Sequence, residues 1–412
     1  MQRNSEILYT YTKNDVFFLQ SEKVGQSFFA LLGERSEPFF ADFINKENLM
    51  KSFFKRFWVF IPLILAVMMF FILPHFPAVT EYVFSRGLFK VITVPVGFVT
   101  SLVPISLTEW LVILAAPAVV TLLTVFIVKL VKNKDKRKKT LLGAGKFVVG
   151  AVSIASFMYM SCHGVNYYRF TMEKMMELDT SQKTPEDLYN ACVKLAQGAA
   201  EARRELGISD DEPFTFSESL YTELTRAGDG YKAIVKEYPF LWSANWRQKP
   251  VMLSEPWSYT GIVGVYCPFI VENNVNTAQP DYAIPFTAAH ESAHSRGIAF
   301  ENECNFLAFL SCINSSYPEY RYSGYMESFV YCSNALYSYD KELWQGTQQY
   351  LTNGMFLDFG SMNKYIDDHT NKVTEVSQDF NDTFIKVQGV PDGHLSYDRV
   401  TELILAYYAK EG

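Results

Sequence analysis

The sequence predicts an α+β, mainly helical protein: an N-terminal three-helix transmembrane region, then a soluble domain with a small sheet and an HExxH helix. Three observations predict it. Long uncharged apolar runs occur only before Arg169. Beyond it charge returns, with one stretch of helical periodicity and one rich in β-branched and aromatic residues. Residues 287–306, TAAHESAHSRGIAFENECNF, then place two of the chain's six histidines four residues apart.

The charge balance narrows the function classes. Lys and Arg number 37 against 44 Asp and Glu, a net charge of −7, so no broad basic surface is available for nucleic acid. Aromatic residues make up 16% of the chain, a composition that suits lipid interfaces. The cysteines, Cys162, Cys192, Cys267, Cys304, Cys312 and Cys332, contain no CxxC pair and read as small buried apolar side chains.

Residues 1–55 read as a cytoplasmic tail and 56–168 as the transmembrane region. Spans are expected at about 57–76, 110–130 and 146–166, each close to the ~20 apolar residues a crossing helix needs. Residues 88–108 are also apolar, but Pro95, Gly97 and Pro104 suit an interfacial or re-entrant segment better than a further crossing. Between the last two spans lies KLVKNKDKRKK, with seven basic residues and one Asp, which marks the cytoplasmic side. That places everything after Arg169 outside the cytoplasm, in a multi-pass protein of the cell membrane. Arg169 itself, at the boundary, is expected to snorkel as an interface anchor.

Residues 169–412 have the size of one domain. Residues 184–206 predict a helix with Thr184 as N-cap and Pro185 in the first turn. Residues 258–276, SYTGIVGVYCPFIVENNVN, predict extended chain, with Pro268 favouring an edge strand.

In a helix, His290 and His294 share one face and can offer imidazole nitrogens to one ion, with Glu291 beside them toward water. That is the chemistry HExxH encodes. A catalytic zinc takes three protein ligands and keeps one position open, so a third is needed. In an unbroken helix Glu301 would lie ~10.5 Å further along the axis, out of reach. The helix is therefore expected to stop at Gly297 and a second helix to return Glu301 or Glu303 toward the metal. Glu301 is favoured, because Asn305 four residues on shares its face and can hydrogen-bond a histidine ligand. Glu303 remains the alternative.

These residues carry a resemblance. HESAH, Gly297 and ENECNFLAFL, preceded by GVYCPFIVENNVN and IPFT, resemble a family of uncharacterised bacterial multi-pass membrane proteins regarded as HExxH zinc metallopeptidases. GVNYYR, RYSGY and SYDRV extend the resemblance over about residues 55–410. More distantly, Glu301-x-x-x-Asn305 is similar to the Glu-x-x-x-Asp of membrane gluzincins such as the prenyl-protein proteases, with Asn in place of Asp. The resemblance implies a zincin-like domain at 169–412, one Zn2+ per chain on His290, His294 and Glu301, and a peptide or protein substrate. Glu291 would be the catalytic base.

An extended substrate is expected to pair with the edge strand near Gly264 to Pro268. Tyr322, Tyr325, His394 and Tyr397 are candidate hydrogen-bond donors to an oxyanion, none of them assigned. Two other readings share the sequence: a zinc amidase acting on cell-wall or lipid amides, and a non-catalytic membrane scaffold with a vestigial zinc site.

Overall fold

The computed structural model describes residues 57–181, 184–388 and 399–411. The expected tail at 1–55, and His394 and Tyr397, lie outside the described residues. Val59–Gly412 forms one compact unit, mainly helical, with a three-stranded sheet.

The apolar runs form helices. α1 (Ile61–Ile72) starts with Pro62 in its first turn, where the missing N–H costs nothing. α2 (Phe89–Ser101) continues a π-wound segment, Thr80–Leu88. α3 (Leu107–Lys132) is capped by Ser106, whose Oγ accepts from Glu109 N at 2.9 Å. A single 3-10 turn, Lys134–Lys136, then reverses the chain into α4 (Arg137–Cys162). The basic loop is thus the tip of a helical hairpin.

Four helical stretches, Trp58–His75, Pro77–Ser101, Leu107–Lys132 and Lys134–Cys162, are long and apolar enough to cross a membrane. Val112, Val120 and Phe147 on the hairpin are more than 60% exposed. So large an exposed apolar surface needs an apolar surround, and the protein is accordingly membrane-associated.

Pro77–Ser101 is the stretch the sequence did not count among the three spans. It qualifies by length and apolarity, yet its contacts run along the later domain. Near its start Glu81 meets Arg169. Further on, Lys90 Nζ donates to the Phe240 carbonyl at 3.1 Å and also to that of Trp242. A Cβ on Gly97 would fall 2.6 Å from the Trp246 ring, so only glycine allows this approach. At the far end the Thr100 carbonyl accepts from Lys249 Nζ at 3.0 Å. The charged groups of this stretch are thus satisfied by protein rather than lipid.

Arg169 does not snorkel. Its side chain is 2% exposed, with Nε 2.7 Å from Glu81 Oε2 and Nη2 2.8 Å from Glu81 Oε1. Nη1 donates to the Gly297 carbonyl at 2.7 Å. A guanidinium can be buried this way because its planar fork finds a bidentate carboxylate and a carbonyl together.

In the later domain Thr184 caps α5 (Pro185–Leu206) through a reciprocal box with Asp187, and Gly207 ends it at φ +67°. Its buried stripe of Leu188, Ala191, Cys192, Leu195, Ala196 and Ala199 packs on the long helix Pro318–Tyr339. All six cysteines are free thiols and five are buried, as small apolar residues would be.

The sheet holds β1 (Gln248–Pro250), β2 (Gly264–Cys267) and β3 (Glu272–Val275) in the order β1-β3-β2. β1 runs parallel and β2 antiparallel to β3. β2 is an edge strand, and Pro268 falls just beyond it. All of β3 is buried although its sequence is ENNV, so its polar groups need partners. Glu272 pairs with Lys249 and accepts from Thr108 N and Oγ1 at 2.8 Å. Asn274 meets Ser106 Oγ at 2.6 Å, and Asn273 donates to Ser295 Oγ at 3.3 Å. A polar strand therefore ties the start of α3 to the end of the HExxH helix.

Candidate metal centre

α6 (Ile284–His294) carries HESAH, with Pro285 in its first turn. It stops because Gly297 adopts φ +86°, a left-handed conformation that glycine takes without strain. Gly297 N then donates to the His294 carbonyl at 2.9 Å and Ile298 N to that of Ala293 at 3.3 Å, closing the helix end. Three residues later α7 (Glu301–Ile313) begins, with Glu301 as its first residue. α6 is covered on one side by β2 and β3 and on the other by α7 and α8 (Pro318–Tyr339).

The break brings three donors together. His290 Nε2 lies 3.2 Å from His294 Nε2 and 3.2 Å from Glu301 Oε2, and His294 Nε2 is 3.6 Å from Glu301 Oε1. Tetrahedral ligands with bonds of ~2.1 Å sit about 3.4 Å apart, so the three separations suit one zinc-sized ion. The other ring nitrogens set the tautomers. His294 Nδ1 donates to the Ile298 carbonyl at 2.9 Å, and His290 Nδ1 faces Asn305 Oδ1 at 2.7 Å. Both acceptors draw the proton to Nδ1 and leave the Nε2 lone pairs pointing at Glu301.

Glu303 is engaged elsewhere. Its Oε1 accepts from Met172 N at 2.7 Å, and burial pushes its carboxyl up to about 7. It closes the segment that follows the last apolar helix. Cys304 is a rival donor, grouped with both histidines, but its Sγ sits 3.3 Å from His294 Nδ1, on the nitrogen already given to Ile298. Its thiol is buried, and burial pushes it up to about 12. Glu301 is thus the carboxylate whose oxygens face both Nε2 atoms.

Glu291 is 3% exposed, and its Oε2 has no partner among the described residues. Burial pushes its carboxyl up to about 7, against the pull of the two imidazoles. Burial would also raise Glu301, but the imidazoles beside it hold that carboxyl well below its usual range.

A cleft of about 1190 Å3 opens over these groups. Several of its walls carry no sequence motif. Gly264 on β2 is one: a Cβ there would fall 2.4 Å from Glu291 Oε1, so glycine lets the edge strand touch the carboxylate. His163, just past α4, is another, its ring 5.7 Å from that of His294 and its buried Nδ1 without a partner among the described residues. A histidine inside an apolar run is a functional signal in itself and could have singled it out. Tyr331 and Glu327 of α8 line the same cleft, and burial pushes Glu327 up to about 7. Neither had a signal in the sequence.

Tyr322 and Tyr325, the described tyrosines among the candidate oxyanion donors, do not line this cleft. Tyr322 is buried and hydrogen-bonded to Asp358, stacked on Phe214 at 5.5 Å. Tyr325 lies over Gly198 of α5.

No curated protein and no solved structure matches the chain. The family described as "Protein of unknown function (DUF3810)" matches residues 84–405, a range that takes in the sheet, the HExxH helix and the helix carrying Glu301. With a match over most of its length, the chain belongs to the DUF3810 family.

Proposed function

We propose that the protein is a membrane-anchored zinc-dependent metallopeptidase that hydrolyses peptide bonds outside the cytoplasm. The observation that carries this reading is the convergence of His290 Nε2, His294 Nε2 and the two Glu301 carboxylate oxygens at 3.2–3.6 Å beside a buried, unpartnered Glu291 oxygen. It agrees with the resemblance of HESAH and Glu301-x-x-x-Asn305 to gluzincin-type membrane peptidases. A structural site would have no use for the base.

A zinc ion held by His290, His294 and Glu301 would supply Lewis acidity to a carbonyl and to water. Glu291 accepts the proton of the attacking water and returns it to the leaving amine. Asn305 and the Ile298 carbonyl hold the two imidazoles in orientation. The free edge of β2 offers main-chain groups to an extended substrate, beside Glu291 because Gly264 has no side chain. The sidedness follows from the hairpin of α3 and α4: with its basic tip in the cytoplasm, the other ends of both helices, and the domain attached there, face outward.

The test is elemental analysis of the full-length protein in detergent. About one zinc per chain, lost in His290→Ala, is the expected result. No zinc in folded, metal-replete protein would remove the hydrolase reading and leave a membrane scaffold. Asn305→Ala should weaken zinc binding by about 10–100-fold, measured by competition with a chromophoric chelator. Gly264→Ala should lower turnover at unchanged zinc content, because its Cβ displaces the base; equal loss of both would show that the position serves the fold alone.

A further inference from the structure

The most unusual surface near the cleft belongs to α10 (Lys372–Val387), which follows α9 (Asn353–His369). Val373, Val376, Phe380 and Val387 are 56%, 68%, 74% and 61% exposed. At 100° per residue these four fall within about 60° of one another, a single stripe along the helix. Thr374, Ser377, Gln378, Asn381 and Phe384 line the cleft, and Phe380 of the stripe reaches it too. Thr374 Oγ1 donates to the Tyr259 carbonyl at 3.0 Å. A helix packed on a water-soluble domain buries its apolar stripe and shows its polar one. On this helix Thr374 is buried, whereas Val373, Val376, Phe380 and Val387 stay exposed along with Gln378 and Asn381.

Its position says what surrounds the stripe. The Phe384 ring of α10 packs on the Tyr159 ring of α4 at 5.9 Å, and Tyr159 lies within the last turn of the apolar helix Lys134–Cys162. α10 therefore sits level with the end of α4, where that apolar helix stops. Val263, on the cleft wall, is also exposed.

We propose that α10 lies in the membrane interface with Val373, Val376, Phe380 and Val387 in the acyl chains, so that the cleft opens onto the bilayer surface. Amphipathic helices bind interfaces in this way, through buried apolar area. The substrate class that follows is a polypeptide segment held at the membrane surface by its own apolar anchor. That last step rests on the peptidase reading, whereas the placement of α10 does not.

The experiment uses the full chain in liposomes of phosphatidylcholine and phosphatidylglycerol. Spin labels are placed at Phe380→Cys, Val376→Cys and Gln378→Cys, and the signal of the unsubstituted protein is subtracted. Collisions with oxygen are expected to exceed those with a water-soluble nickel chelate at 376 and 380, and the ratio to invert at 378. Free access of nickel to 376 and 380 would overturn the placement, as would protection from both reagents, which marks a protein partner or a second copy. The substrate class is tested on one peptide sequence, free or fused to a hydrophobic membrane anchor. Faster cleavage of the anchored form supports it, and equal cleavage refutes it. Cleavage of neither, with the labels in lipid, would count against the peptidase reading alone.

Discussion

Glu291→Gln is expected to lower peptide turnover by about 10²–10⁴-fold, the usual contribution of a positioned general base, with zinc content unchanged. Gln keeps the shape of the side chain but cannot take a proton from water, and it is not among the three converging donors. The measurement is hydrolysis of a fluorogenic peptide library beside elemental analysis of the same sample. Equal turnover in both proteins would remove Glu291 from the mechanism. A pH profile adds a second check. Burial puts the carboxyl at about 7 in the metal-free protein, and a dication beside it favours the charged form. Activity should therefore fall on acidification, with its midpoint at or below 7, and the Gln variant should lose that limb.

Glu81→Ala is expected to destabilise the protein by about 3–5 kcal/mol, because it leaves a buried guanidinium without its carboxylate. The Arg169 and Glu81 side chains are 2% and 0% exposed, so water cannot replace the lost partner. The double replacement Glu81→Ala, Arg169→Leu should recover much of the loss, since no buried charge is then left unpaired; Arg86, the other partner of Glu81, is 36% exposed and can turn to water. Thermal unfolding in detergent reads both. An unchanged midpoint in the single variant would show that the pair is worth nothing. Arg169 also holds the Gly297 carbonyl, the turn that joins the HExxH helix to Glu301, so the single variant should bind zinc less tightly as well.

Much of the site was legible because it is local. His290 and His294 share a face by helical repeat alone, and Gly297 marks the end of that helix because of the φ +86° it adopts. The Glu301 to Asn305 spacing likewise carries through α7 into a contact with His290. Three of the four long apolar helices were legible for the same reason: a run of uncharged residues needs no distant partner to declare itself.

What the sequence could not supply depends on pairs far apart in the chain. Glu301 and Glu303 look alike as carboxylates two residues apart, and only the fold gives Glu303 to Met172 N, 131 residues away. Arg169 reads as an anchor until Glu81, 88 residues earlier, is packed against it. Tyr322 reads as a donor until Asp358 takes its hydroxyl. The tilt of Pro77–Ser101 along the domain comes from Trp246, Lys249 and Phe240, none of which its own sequence can announce.

The sequence by itself determined the apolar helices, the basic hairpin tip and the histidine pair, since each is written in spacing and composition over a single helix. Only the tertiary structure decided which carboxylate faces the histidines, which glycine admits the edge strand to Glu291, and that α10 turns its apolar stripe outward. Those are matters of which surfaces meet, and a one-dimensional pattern carries the period of a helix face but not the identity of what packs against it.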